Sequence, residues 1–169
     1  MKKTITIILA LLVLLSLTGC GGSNSSNKKT YDTIEEQAFY DAVYKGEDSE
    51  VKFSKKSDWL MIDYNNQKTV VNTKAIVEQG ISDFVEICKP IFEEGSITHI
   101  QINMKAEMTN GDYHSATSFT ATKDEFEAID WDSLKGKTGI YNIMENGIER
   151  CYVNNDISKE VDLSEVRYR

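Results

Sequence analysis

Side chains that mark a catalytic or metal centre are scarce in this sequence. Two histidines and three cysteines are spread over 169 residues. No Cys-x-x-Cys pair occurs, which excludes a zinc ribbon and a thioredoxin-like redox site. The sequence has no Gly-x-Ser-x-Gly elbow, no His-Glu-x-x-His zinc helix and no glycine-rich phosphate loop. Proline is limited to Pro90. Positive charge is in deficit, with 19 Lys and Arg against 27 Asp and Glu, a formal charge of −8. An acidic chain repels phosphate backbones and anionic lipid, which argues against nucleic acid and against membrane-surface binding by the folded part itself. The charges form no long block, so they read as a solubilising surface. Apolar runs are short as well: the longest, residues 4 to 17, is about 14 residues, below the ~18–20 that a membrane-spanning helix needs.

That run nevertheless lies where it carries meaning. Lys2 and Lys3 precede it, and Leu17-Thr18-Gly19-Cys20 follows it. A positive start, a short apolar middle and small residues at the cut make a secretory signal. The last four residues resemble the lipobox of bacterial lipoproteins. That resemblance implies cleavage after residue 19, lipidation of Cys20 and anchoring on the extracytoplasmic face of the cell membrane. Two or more acyl chains hold a protein firmly without a spanning helix. Loss of Lys2 and Lys3 with the leader takes the charge to about −10. Residues 21–30, GGSNSSNKKT, contain no apolar residue. They read as a flexible tether, reaching roughly 17–19 Å on average. Residues 31–169 then form one globular domain, long enough for a core without staples.

Within that domain, Thr33 caps a helix with Ile34, Ala38, Phe39, Ala42 and Val43 on one stripe, ended by Gly46. Val51 and Phe53, then Leu60, Ile62 and Tyr64, alternate as two strands around a polar turn over Ser54 to Asp58. Asn72 caps a long helix to about Glu94, which Gly80 is expected to interrupt, Pro90 to kink and Gly95 to stop. His99 to Met108 alternates strictly. Ile100, Ile102, Met104, Ala106 and Met108 share one face, and His99, Gln101, Asn103, Lys105 and Glu107 share the other. Asn110-Gly111 suits a two-residue type I′ turn between Thr109 and Asp112. That register sets Ile102 opposite Phe119, Ile100 opposite Ala121, Gln101 opposite Thr120, Met108 opposite Tyr113 and Glu107 opposite His114. Thr122 and Glu125 form a capping-box pattern before a short helix with Phe126 and Ile129. From Ile140 two readings stay open. One is a hairpin at Asn146-Gly147. The other, adopted here, is a helix with Ile143, Met144, Gly147, Ile148, Cys151 and Tyr152 on one stripe.

The expected architecture is α+β: an antiparallel sheet of about four strands with a long helix and shorter helices packed on one face. Ile100, Ile102, Gly111, Asp130 and Trp131 lie in a stretch, Ser96 to Leu134, that loosely resembles a group of small lipoproteins of Gram-positive bacteria. The resemblance implies a long helix before a strand pair and then a short helix. It implies no activity.

Candidate chemistry is thin. His99 and His114 fall on the polar hairpin face but about 27 Å apart at ~3.4 Å per strand residue, too far to share a metal or substrate. Ser118 lies ~13 Å from His114 by the same rise, so no Ser-His-Glu triad forms. Asp130-Trp131-Asp132-Ser133-Leu134 and the series Asn154, Asp156, Ser158, Glu160 begin like cation loops but lack the required glycine. Cys88 and Cys151 read either as a disulfide or as two separate thiols. No cofactor or metal is expected. Two classes of function remain. The first is a non-catalytic binding module that meets a protein or other envelope component through a sheet edge or through the polar face of His99, Gln101, Asn103, Lys105, Glu107 and His114. The second is a small envelope hydrolase whose carboxylates converge only in three dimensions.

Overall fold

The computed structural model describes residues 31–44, 50–66, 72–107 and 112–169. The signal, the lipobox, the tether, Gly46 and the Met108–Gly111 tip lie outside the described residues. Strand β1 (Val51–Lys56) turns through Ser57, at a left-handed φ of 57°, into β2 (Trp59–Asn65). The turn is therefore tighter, and both strands longer, than the polar Ser54–Asp58 stretch suggested. In β2 Leu60, Ile62 and Tyr64 point inward and are buried, while Trp59, Met61 and Asp63 take the other face.

Ahead of β1, helix α1 (Ile34–Phe39) is capped by Thr33, whose hydroxyl accepts from Glu36 N at 3.2 Å. It continues as a π-helical turn, Tyr40–Tyr44. Phe39 packs edge-on to Phe53 and Tyr64. Helix α2 (Thr73–Glu94) starts where the Asn72 side chain accepts from Ala75 N at 2.9 Å. It stops at Gly95, whose φ of 92° lets its N–H reach Ile91 O. The helix runs unbroken through Gly80 and Pro90. A mid-helix glycine costs only about 1 kcal/mol, which packing overrides. The proline removes one donor late in the helix without ending it.

The expected α+β class holds, and the sheet departs from the expectation of about four antiparallel strands in being mixed. It has five strands in the order β1-β2-β3-β4-β5, and β2 pairs with β3 (His99–Glu107) in parallel, Leu60 against Ile100 and Ile62 against Ile102. The cause is the length of α2. Its 22 residues span about 33 Å at 1.5 Å each. The helix thus carries the chain back along the full sheet, so the next strand starts from the same end. The fold is α+β, with a mixed sheet.

The hairpin of β3 with β4 (Tyr113–Thr122) keeps the expected register only at its base. Ile100 faces Ala121, Gln101 faces Thr120 and Ile102 faces Phe119. Between Met104 and Lys105 the register shifts by one, leaving Ala116 as the extra residue of a bulge. Beyond it Glu107 faces Tyr113, and His114 faces Ala106. The expected Glu107–His114 pair is therefore overturned; Met108, expected opposite Tyr113, lies outside the described residues. A slip of one residue exchanges the faces, so His114 leaves the polar face.

The Thr122–Glu125 capping box is present, and opens α3 (Lys123–Glu127). Helix α4 (Trp131–Leu134) follows, then α5 (Ile140–Gly147). The chain next becomes β5 (Arg150–Val153), antiparallel to β4. The helical reading of Ile140 onward is thus correct to Gly147, but Cys151 and Tyr152 belong to a strand. Helix α6 (Asn155–Glu160) precedes the C-terminal segment. Phe84 of α2 is fully buried against Phe119, Phe126 and Trp131, and this joins the inner face of the sheet to the helices. Arg169 closes the chain onto α2: its Nε donates to the buried Glu78 at 2.8 Å and its N–H to Ser82 Oγ at 3.2 Å. Lys55 pairs with the buried Glu35 at 2.7 Å. Burial opposes ionisation of Glu35, but the hydrogen bond from Lys55 prevails and holds its carboxyl below the usual range.

Candidate functional site

Strand alternation that buries one face leaves the other to polar side chains. On this outer face the strands form an open concavity of about 620 Å³. Strand β2 contributes Asp63; β3 contributes Gln101, Asn103 and Lys105; β4 contributes Ser115 and Ser118; β5 contributes Arg150, Cys151 and Tyr152. The parallel β2–β3 register places Asp63 beside Asn103, and the antiparallel β3–β4 register places Ser118 on its other side.

Asn103 is the hub. Its amide nitrogen donates to Asp63 Oδ1 at 2.6 Å, and its carbonyl oxygen accepts from Gln101 Nε2 at 3.0 Å and from Ser118 Oγ at 2.5 Å. These bonds fix four side chains in one arrangement before any ligand arrives. The bulge also shapes the site. Without it Ala116 would stand opposite Lys105; with it Ser115 does, and a hydroxyl replaces a methyl on the outer face. Ser115 is then held by β5's exit, where Asn154 Nδ2 donates to its carbonyl at 3.0 Å.

Comparison with protein-family models, with curated proteins and with solved structures finds no match to this chain.

Of the six residues of the expected interaction face, three line the concavity: Gln101, Asn103 and Lys105. His99 sits at the base of β3, its ring stacked on Trp59 with centroids 5.2 Å apart and planes 9° apart. Its Nδ1 lies 2.9 Å from Thr98 Oγ1. Glu107 is exposed at the far end of β3, and His114 is exposed opposite Ala106. The two histidines thus stand about seven strand positions apart, roughly 24 Å at ~3.4 Å each.

The sequence reading missed Asp63, Ser115, Ser118, Arg150 and Tyr152 as a group. Asp63 was legible as a polar-face residue of its strand, but its neighbour across the parallel pair was not. Arg150 and Tyr152 fell in the stretch read as helix.

The other candidates have structural roles. Asp130 caps α4, accepting from Ser133 N at 3.1 Å, and Asn154 caps α6, accepting from Asp156 N at 2.9 Å. Asp156 pairs with Lys159 at 3.1 Å. Among the described residues no group of three or more His, Cys, Asp or Glu side chains could hold a metal ion. Cys88 and Cys151 are free thiols, the first in the core of α2 and the second on β5. Burial pushes the Cys88 thiol well above its ordinary range and the Cys151 thiol up to about 12. Both stay protonated at neutral pH, so neither is an activated nucleophile. Among the described residues no helix is long and apolar enough to cross a membrane.

Proposed function

We propose that the chain is a membrane-anchored, extracytoplasmic lipoprotein whose domain is a non-catalytic binding module, with the outer face of the sheet as its contact surface. The observation that carries this reading is the concavity around Asn103, where side chains already bonded to one another line an open site. Ordering them before binding lowers the entropy that a ligand must overcome. A carboxylate-based glycoside hydrolase works with two flanking carboxyl groups. The concavity presents one, Asp63, and its adjacent thiol is protonated. These features favour binding over hydrolysis. The anchor rests on Leu17-Thr18-Gly19-Cys20, and a tether of roughly 17–19 Å would hold the domain just above the membrane.

Two experiments test the two halves. Cys20→Ser should release the protein from membranes or leave it as an unprocessed precursor; a mutant that still fractionates as mature, detergent-extractable protein refutes the anchor. For the contact surface, a photo-crosslinking residue is placed at Tyr152 or, as a control, at the exposed Lys137, in membrane-bound protein in cells. Adducts should form from position 152 and not from 137. Adducts from 137 alone, or equal yields from both, refute the outer face as the contact surface.

A further inference from the structure

We infer that the ligand of the outer face is an anionic, hydroxyl-rich polymer segment: a saccharide or polyol chain carrying carboxylate or phosphate groups. This rests on the reading of that face as the contact surface.

The charge distribution points there first. Lys55, Lys74, Lys89, Lys123, Lys159 and Arg169 each lie within ion-pair distance of a carboxylate. Of the described cations without an ion pair, Lys105 and Arg150 line the concavity, Lys52 and Lys56 lie on β1, and Lys135, Lys137 and Arg167 lie outside the strands. The concavity's one carboxylate, Asp63, already accepts from Asn103. By register the same face adds Lys52, opposite Asp63, and Lys56, opposite Trp59. Four cations thus stand on the strands of this face, against Asp63 and Glu107, with Glu50 bonded to Asn65 at its margin. The chain as a whole has 27 acidic residues against 19 basic. The face has the opposite bias, and that bias sits around a cavity. A guanidinium presents a planar fork that matches carboxylate and phosphate oxygens, and an ammonium supplies a mobile point charge.

The neutral lining narrows the ligand. Gln101 and the hydroxyls of Ser115 and Ser118 both donate and accept, as a hydroxyl-bearing chain requires. Tyr152 is 39% exposed at the rim and offers an aromatic plane to the apolar face of a sugar ring. A peptide fits poorly. No residue lining the concavity is aliphatic, so it offers no aliphatic slot of the kind that anchors a peptide's apolar side chain. The backbone of β3 is engaged in ladders on both sides, so an extended peptide cannot add as a strand in the middle of the concavity; the sheet's edges are β1 and β5.

The test uses the full lipidated chain in detergent micelles. Three soluble probes of equal length are titrated by calorimetry: an oligogalacturonate, an oligo(glycerol phosphate) and a neutral maltooligosaccharide. One or both anionic probes should bind, more weakly as salt is raised, and the neutral one should not. Which anionic probe binds identifies carboxylate or phosphate as the charged group. Arg150→Gln and Lys105→Gln should each weaken that binding about tenfold, as expected for a lost charged hydrogen bond. Lys137→Gln should leave it unchanged. Equal binding of the neutral probe, or anionic binding indifferent to both substitutions, overturns the inference. If no probe binds while position 152 still captures a partner in cells, the inference fails and the contact surface stands. If position 152 also captures nothing, both fail.

Discussion

Phe84→Ala should destabilise the domain by about 3–5 kcal/mol, the range for deleting a buried aromatic ring. Phe84 has no exposed surface, and its ring meets Phe119 at 5.6 Å, Phe126 at 5.9 Å and Trp131 at 6.4 Å between centroids. These partners come from β4, α3 and α4. The ring is thus where one side chain of α2 joins the sheet to both short helices. Its removal leaves a void that three separate elements would have to close together, so relaxation recovers little. Ile143→Ala is the contrast. Ile143 lies on α5 but is 38% exposed, and its truncation should cost under about 1 kcal/mol. Denaturant midpoints at constant m-value measure both. Similar costs for the two would show that the core is not centred on α2.

The burial of Phe84 was legible in the sequence; the exposure of Ile143 was not, because the pattern places it on one stripe with Met144 and Ile148. Phe84 lies on the apolar stripe with Ile87, Cys88 and Ile91, and local periodicity of that kind survives into the fold. So do the capping signals at Thr33, Asn72 and Thr122, because each is satisfied within three residues. The base of the hairpin was legible for a similar reason: only one register aligns the apolar faces of Ile100, Ile102, Phe119 and Ala121.

What escaped was not local. The parallel β2–β3 pair depends on how far α2 returns along the sheet, and no residue in either strand encodes that. The bulge at Ala116 sits among Ser115, Ala116 and Thr117, all small, so inserting one residue changes no obvious pattern of polarity. Strand β5 has four residues, too few for a period of two to outweigh a helical stripe. These three features together build the outer concavity. The parallel pair brings Asp63 to Asn103, the bulge turns Ser115 outward, and β5 delivers Arg150 and Tyr152. The alternation of β3 therefore announced three of the nine lining residues, and long-range pairing supplied the rest.

Gly80 links the same bulge to stability, and its replacement is the second large effect. Gly80→Val should destabilise by about 3 kcal/mol, and Gly80→Ala by about 1–2 kcal/mol, despite a helix-propensity gain of up to about 1 kcal/mol for alanine. A Cβ at position 80 would overlap Thr117 Oγ1 and stand 3.1 Å from its Cγ2 and 3.2 Å from its Cβ. Rotating Thr117 only exchanges one group for another. Nor can the strand retreat, because Thr117 pairs with Met104 on one side and Val153 on the other, and is 1% exposed. The helix must move away instead, and it would take the Phe84 contact with it. The glycine was expected to interrupt α2; its role is to let α2 approach β4. Chemical denaturation of Gly80→Ala, Thr117→Ala and the double variant measures this. The double variant should be more stable than the sum of the two single losses implies, with a coupling of about 1 kcal/mol or more, since shortening Thr117 gives the new methyl room. If Gly80→Ala alone stabilises the protein, as propensity by itself would require, then helix and strand do not approach so closely, and the placement of the bulge beneath the helix is wrong.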